Sequence, residues 1–184
     1  MNELMKNITE RRSIRNYLET PIPDEMLSQV LEAVRWSPSW ANTQCWEVIV
    51  VKDPETRAAL GETLAKGNPG KKAILKAPVV LVICGRLGTS GFYNNVVTTK
   101  FGDWFMFDLG IATQSLCLCA QSLGLGTLIT GLFDHDKAKA LLNVPEGCEL
   151  VSMIPIGYPE RGTSAPKRRE LSEFVHTEAF GRKG

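Results

Sequence analysis

Histidine is scarce in this chain: His135 and His176 are the only two among 184 residues. Neither sits near a serine or cysteine pattern that marks a nucleophile. No GxSxG, HExxH, Walker or GxGxxG pattern occurs either. "LGLGT" at 123–127 has two glycines, but it follows a helical pattern and leads into a strand. The dinucleotide fingerprint needs the opposite order. Acid–base catalysis by side chains alone therefore has little support, and a cofactor carrying its own chemistry fits better.

Charge of one sign is also missing. The formal net charge is +1, which excludes a broad attraction to nucleic acid or a membrane surface. The basic residues instead pair locally, as Arg11-Arg12 and Lys167-Arg168-Arg169. That suits one compact anion better than a polyanion. The strongest apolar run, Ala77 to Cys84, is too short to span a bilayer, and the start of the chain has no secretory h-region. The five cysteines form no CxxC pair and no zinc spacing. Cys117 and Cys119 are two apart on a helix and diverge by about 200°. All five are expected to be small core residues of a reducing compartment, the cytoplasm, with no metal site.

What is present is a mixed pattern. Helices are expected over Glu3–Arg11, from Pro23-Asp24 to Pro38, and over "DPETRAALGETLA", capped by Asp53. A long, mostly apolar helix is expected over Asp103–Leu123, ended by Gly124, and another after Asp134. Strands are expected at Glu47–Lys52, Pro78–Cys84, Thr127–Thr130 and Glu149–Ile156. "KGNPGKK" reads as a loop, and residues 85–102 as a loop or a lid. There are no internal repeats and no linker between two cores, so residues 1–184 read as one α+β domain.

Two stretches can carry binding. "RRSIRNY" (11–17) is either a set of cations at a helix C-terminus or a phosphate clamp that Arg168 and Arg169 close from the far end of the chain. "WSPSWANTQCWEVIVV" (36–51) is either a turn with core tryptophans or a polar lip for a flat, partly polar ring.

Taken in order, five segments resemble the nitroreductase family of FMN-dependent flavoproteins. They are "RRSIR", "SPSWANTQCWEVIVV", "LKAPVVLVI", "DLGIATQSLCLCAQSLGLGTLITGLF" and "IPIGYPERGTSAPKRRELSEFVH". The resemblance implies a three-layer α/β/α sandwich around a mixed, mainly antiparallel sheet. It also implies an intertwined homodimer with FMN at the subunit interface. Arg11, Arg12, Ser13 and Arg15 would hold the phosphate and ribityl groups, joined by Arg168 or Arg169. Pro38, Ser39, Trp40, Asn42 and Gln44 would meet the ring from the other subunit. Thr130, Gly131 and Leu132 would approach the flavin N5 side through backbone N–H groups. Asn68, Lys71 or Lys72 would reach it from the 60s loop. Phe92 and Tyr93, with Trp40, would flank the substrate.

The implied activity is transfer of hydride from NADH or NADPH, through flavin, to an electron-poor small molecule such as a nitroaromatic or quinone. Other chemistries of the same fold stay open: ene reduction, dehalogenation, flavin breakdown, or flavin binding without turnover. Two departures stand out. Cys45 replaces a usual proline, and Trp40 is bulkier than the residue normally found there.

Overall fold

A computed structural model describes residues 1–183. The continuous apolar run in the middle of the chain becomes β2 (Val79–Arg86). It lies inside a four-stranded sheet with β1 (Trp46–Val51), β6 (Cys148–Gly157) and β5 (Gly126–Thr127), in the order β1-β2-β6-β5. Every strand pairing in this sheet is antiparallel. A single Ser13–Thr127 bridge adds a parallel contact.

Side chains alternate across a strand, so β2 feeds two cores. Val79, Leu81 and Ile83 face α2 (Asp24–Arg35) and α5 (Phe105–Ser122), among Leu27, Val30, Val34, Leu109, Ala112 and Leu116. Val80, Val82 and Cys84 face the opposite layer. That layer holds α3 (Pro54–Gly61), α4 (Pro69–Lys76) and α6 (His135–Leu141), and supplies Leu60, Ile74 and Ala138. A sheet buried on both faces explains why β2 reads as a run and not as an alternation. The expected three layers are present.

Several expectations need correction. "KGNPGKK" is not all loop. Asn68 caps α4, its Oδ1 accepting from the Gly70 N–H at 2.9 Å, and Pro69 opens the first turn. The strand expected over Thr127–Thr130 pairs only at Gly126–Thr127, with one further bridge from Thr130 to Met153. The interruption falls opposite Pro155. Its carbonyl accepts from Leu128 at 3.3 Å, but proline has no N–H to return. Of the five cysteines, Cys45, Cys84 and Cys117 are buried, whereas Cys119 and Cys148 are only half-buried.

The lid segment contains a small hairpin, β3 (Phe92–Tyr93) with β4 (Val96–Val97). Asn94 and Asn95 both have positive φ (48° and 62°), as a tight two-residue hairpin turn requires. The N-terminal helix α1 (Glu3–Glu10) buries nothing within the chain, and its apolar stripe of Leu4, Met5 and Ile8 stays exposed. Beyond Tyr158 the chain runs as an extended, exposed tail to the short helix α7 (Leu171–Phe174). No helix among the described residues is long and apolar enough to cross a membrane.

Candidate functional site

The segment after α1 is drawn onto the sheet by backbone pairing. The Ile14 N–H donates to Thr127 O at 2.9 Å, and the buried Tyr17 hydroxyl donates to Ile14 O and Pro155 O at 2.8 and 2.9 Å. This fixes Arg11, Arg12, Ser13 and Arg15 at one end of the sheet. The tail returns to the same place. A cleft of about 340 Å³ is lined by these four residues together with Thr163, Ser164, Pro166 and Arg168. The two basic clusters thus converge.

Among the described residues, no carboxylate lines this cleft, and none forms an ion pair with Arg11, Arg12, Arg15 or Arg168. Arg12 Nη1 donates to Thr9 O and Arg11 O at 2.7 and 2.8 Å, while its buried Nε has no partner. Four guanidinium groups held together without counter-charge suit a compact dianion, whose oxygens would match their fork geometry. Arg169 does not take part. It turns outward to Glu173, donating to its carbonyl at 2.8 Å, and its guanidinium lies over Phe174.

Arg15 also lines a second compartment of about 260 Å³, with Asn68, Pro69, Gly70 and residues 128–132. Here Thr130 is held by reciprocal backbone bonds to Met153 at 2.9 Å, while its buried hydroxyl has no partner. Asn68 Nδ2 donates to Leu132 O at 3.2 Å. Among the described residues, neither the Gly131 nor the Leu132 N–H finds an acceptor. A Cβ at Gly131 would meet nothing within 4 Å, so the glycine is not required by packing. Open space and two free amides leave the backbone available to a flat polar edge. Of the three 60s candidates, only Asn68 reaches this compartment. Lys71 pairs with Glu62 at 2.8 Å, and Lys72 faces a separate pocket beside Lys76.

Ile129 and Gly131 continue into a third, larger and mainly apolar cavity of about 600 Å³. Phe105, Met106, Leu109, Thr113 and Leu150 are among its walls. His135, read from the sequence only as one of two histidines with no nucleophile pattern beside it, braces the turn. Its ring nitrogens lie 2.8 Å from Leu150 O and 3.2 Å from Gly131 O, and the ring stacks on Phe133 at 4.0 Å.

The remaining candidates lie elsewhere on the same chain. Pro38, Ser39, Trp40, Asn42 and Gln44 form a loop around a short 3-10 turn, Trp40–Asn42. Ser39 Oγ accepts from the Gln44 N–H at 2.9 Å, and Ala41, Asn42 and Gln44 all have positive φ. None of the five lines the three compartments. Phe92 and Tyr93 sit on the lid hairpin, with Tyr93 exposed. Trp46 is partly buried and packs against the α2–α5 core.

Cys45 is fully buried at the end of the loop, and its Sγ lies 3.6 Å from Asp108 Oδ2. Burial first, and the Asp108 charge second, push its thiol up to about 12. A thiol held protonated in this way is a hydrogen-bond donor at neutral pH. Native protein at pH 8 is expected to leave Cys45 unalkylated by iodoacetamide, with modification only after denaturation, as read by peptide mass spectrometry. Alkylation of the folded chain at the rate of a free thiol would contradict this. Because the folded thiol titrates above its ordinary value of 9, its contribution to stability is complete below pH 9 and is lost as pH rises towards about 12.

Comparison with known proteins follows the same lines. A model described as the nitroreductase family matches residues 8–158. The chain is 34% identical to a Bacillus subtilis protein named FMN reductase [NAD(P)H], over 98% of this chain and 75% of the relative. It is 28% identical to rat (Rattus norvegicus) iodotyrosine deiodinase 1, over 95% of this chain and 69% of the other. A solved NADPH:FMN oxidoreductase from Vibrio harveyi, complexed with NAD+, superimposes with a TM-score of 0.84 at 24% identity, covering all of this chain and 80% of that one.

Proposed function

The chain belongs to the nitroreductase family, and from that premise we propose that it is an FMN-dependent NAD(P)H oxidoreductase, active as a homodimer, delivering electrons to an electron-poor small molecule such as a nitroaromatic or quinone. One observation carries this reading. The three compartments are joined in series, first through Arg15 and then through Ile129 and Gly131, and they change from cationic to polar to apolar along the way. That order matches a ligand with a phosphate at one end and a flat ring at the other, the polar edge of the ring in the middle compartment and its face against the apolar one.

FMN, when bound, would supply the chemistry, which is hydride transfer between reduced nicotinamide and the acceptor. The residues present fit such a group. Arg11, Arg12, Arg15 and Arg168, with Ser13, neutralise and orient the phosphate. Asn68 and the Thr130–Leu132 turn offer the unused Thr130 hydroxyl and two unused N–H groups to the polar edge of the ring. The Met153 ladder and the His135 brace keep that turn rigid, so no reorganisation is needed when electrons move. The apolar end excludes water from the reacting face.

The loop from Pro38 to Gln44 would then act on the groove of a second copy. Two exposed apolar surfaces support a dimer: the α1 stripe of Leu4, Met5 and Ile8, and the α5 face carrying Met106 and Phe107. The tail adds Leu171, Phe174, Val175 and Phe180, all exposed in the single chain, as expected of an arm that wraps a partner.

The test is anaerobic addition of NADH or NADPH to the flavin-loaded protein. The visible absorbance of the flavin is expected to bleach with at least one donor and to return when a nitroarene or quinone is added. A flavin that neither donor bleaches would reject the reading. The similarity to a deiodinase favours one rival acceptor class, a halogenated phenol. Halide release in place of nitro or quinone reduction in the second step would select that rival.

A further inference from the structure

Asp108 lies in the first turn of α5, an otherwise apolar helix, and is only 1% exposed. Among the described residues, no cation pairs with it. Its carboxylate instead accepts from three donors on two separate segments. Oδ1 takes the Trp40 N–H at 3.0 Å. Oδ2 takes the Ser90 hydroxyl at 2.6 Å and the Cys45 thiol at 3.6 Å. Ser90 and Cys45 are both fully buried. A buried carboxylate without a cation persists only where donors replace its lost hydration, and here those donors are what it organises.

The first segment is the loop that begins at Ser39. Its positive-φ run through Ala41, Asn42 and Gln44 is unfavourable for non-glycine residues and must be held by its surroundings. Asp108 holds the Trp40 end. Arg86 holds the other end, its Nη2 donating to Gln44 O at 2.9 Å and its N–H to Cys45 O at 2.8 Å. The second segment is the lid. Ser90 stands at its root, where Ser90 O accepts from the Trp104 N–H at 2.9 Å and Gly91 O from the Thr98 N–H at 2.9 Å. A Cβ at Gly91 would come within 2.6 Å of Gly102 O, so the two lid stems are closely pressed together. One carboxylate therefore joins the Trp40 loop to the root of the lid that carries Phe92, Tyr93 and Phe101.

We infer that Asp108 is a positioning residue that sets the Trp40 loop and the 90–104 lid in a single geometry, and so governs acceptor recognition without touching the acceptor. The inference rests on the proposed function, with Trp40, Phe92 and Tyr93 flanking the acceptor as the family resemblance implies. Cys45 gives the device its local character. Where a proline would offer no donor, the thiol gives the carboxylate its third hydrogen bond, on the oxygen that Ser90 also uses.

The experiment compares wild type with Asp108→Ala, Asp108→Asn and Ser90→Ala. The first readout is hydrogen exchange of the flavin-free protein by mass spectrometry. In Asp108→Ala, residues 39–45 and 90–104 are expected to lose protection together, while β2 and β6 keep theirs. In Ser90→Ala only the lid should loosen. Asp108→Asn retains an acceptor for the Trp40 N–H and should restore the loop.

The second readout is kinetic. Asp108→Ala is expected to raise the acceptor KM about tenfold, the scale of one lost charge-assisted hydrogen bond, a larger change than in the rate of nicotinamide-driven bleaching. Wild-type protection of both segments in Asp108→Ala would overturn the inference, as would a uniform rise in exchange across the sheet. Should Asp108→Ala fail to fold, equal effects of Asp108→Asn and Ser90→Ala on loop and lid would overturn it. If wild type binds no flavin, the functional reading fails while the exchange experiment still decides the coupling.

Discussion

Replacing Arg12 and Arg168 together by alanine is expected to weaken FMN binding by roughly a hundredfold or more. Each guanidinium is assigned a charge-assisted contact of about 1.5–3 kcal/mol, and 1.4 kcal/mol is about tenfold in Kd. Within the chain these side chains donate only to carbonyls close by in sequence: Arg12 to Thr9 and Arg11, Arg168 to Pro166. The flavin-free protein should therefore melt near the wild-type temperature. Fluorescence titration of FMN gives the first quantity and thermal denaturation of the flavin-free form the second. The loss should also shrink at high ionic strength, because the cleft is open to solvent and its charges are screened. Wild-type affinity in the double variant would remove Arg12 and Arg168 from the site.

The second large effect is steric. A Cβ built on Gly126 lies 2.5 Å from Ile14 Cγ1 and 2.8 Å from Ile14 Cβ. Ile14 is the buried residue that seats the arginine segment against the sheet, through its N–H bond to Thr127 O at 2.9 Å. Gly126→Val is expected to destabilise the fold by about 1–3 kcal/mol, the usual cost of overpacking, at roughly 2–4 °C of Tm per kcal/mol. It should also displace Ser13 and Arg15 and so weaken FMN binding, although neither Gly126 nor Ile14 lines the cleft. Adding Ile14→Ala should recover part of both losses. A Gly126→Val protein with unchanged Tm would contradict the packing described here.

Arg12, Arg168 and Gly126 show what a linear reading captures. The arginine segment and the tail were legible because guanidinium clusters are few in a chain of near-zero net charge. The placement of Arg168 in the cleft, and of Arg169 outside it, was not. Adjacent residues of an extended tail point in opposite directions, and only the path of the tail decides which one faces inward. Likewise β2 and α5 were plain from composition, whereas the start of α4 was hidden. Asn68-Pro69 is a cap followed by a first helical turn, and it was obscured by the flanking Gly67 and Gly70. The short β5 was overextended because the residue that stops it, Pro155, lies on another strand. Asp108 left a trace, one acid inside an apolar helix, but its three donors come from residues 18 to 68 positions away. His135 was noticed as one of two histidines, yet its role depends on a carbonyl of the turn that precedes it and another across the sheet.

The anion cleft draws Arg11 to Arg15 from one end of the polypeptide and Thr163 to Arg168 from the other. During synthesis the early arginines leave the ribosome long before their counterparts exist. Closing so long a loop adds little to the entropic penalty, since that grows only logarithmically with length, but it must wait for the later segment. Capture of a phosphorylated ligand by both clusters would therefore follow emergence of the tail: a chain cut short before Thr163 would present only half of the proposed receptor.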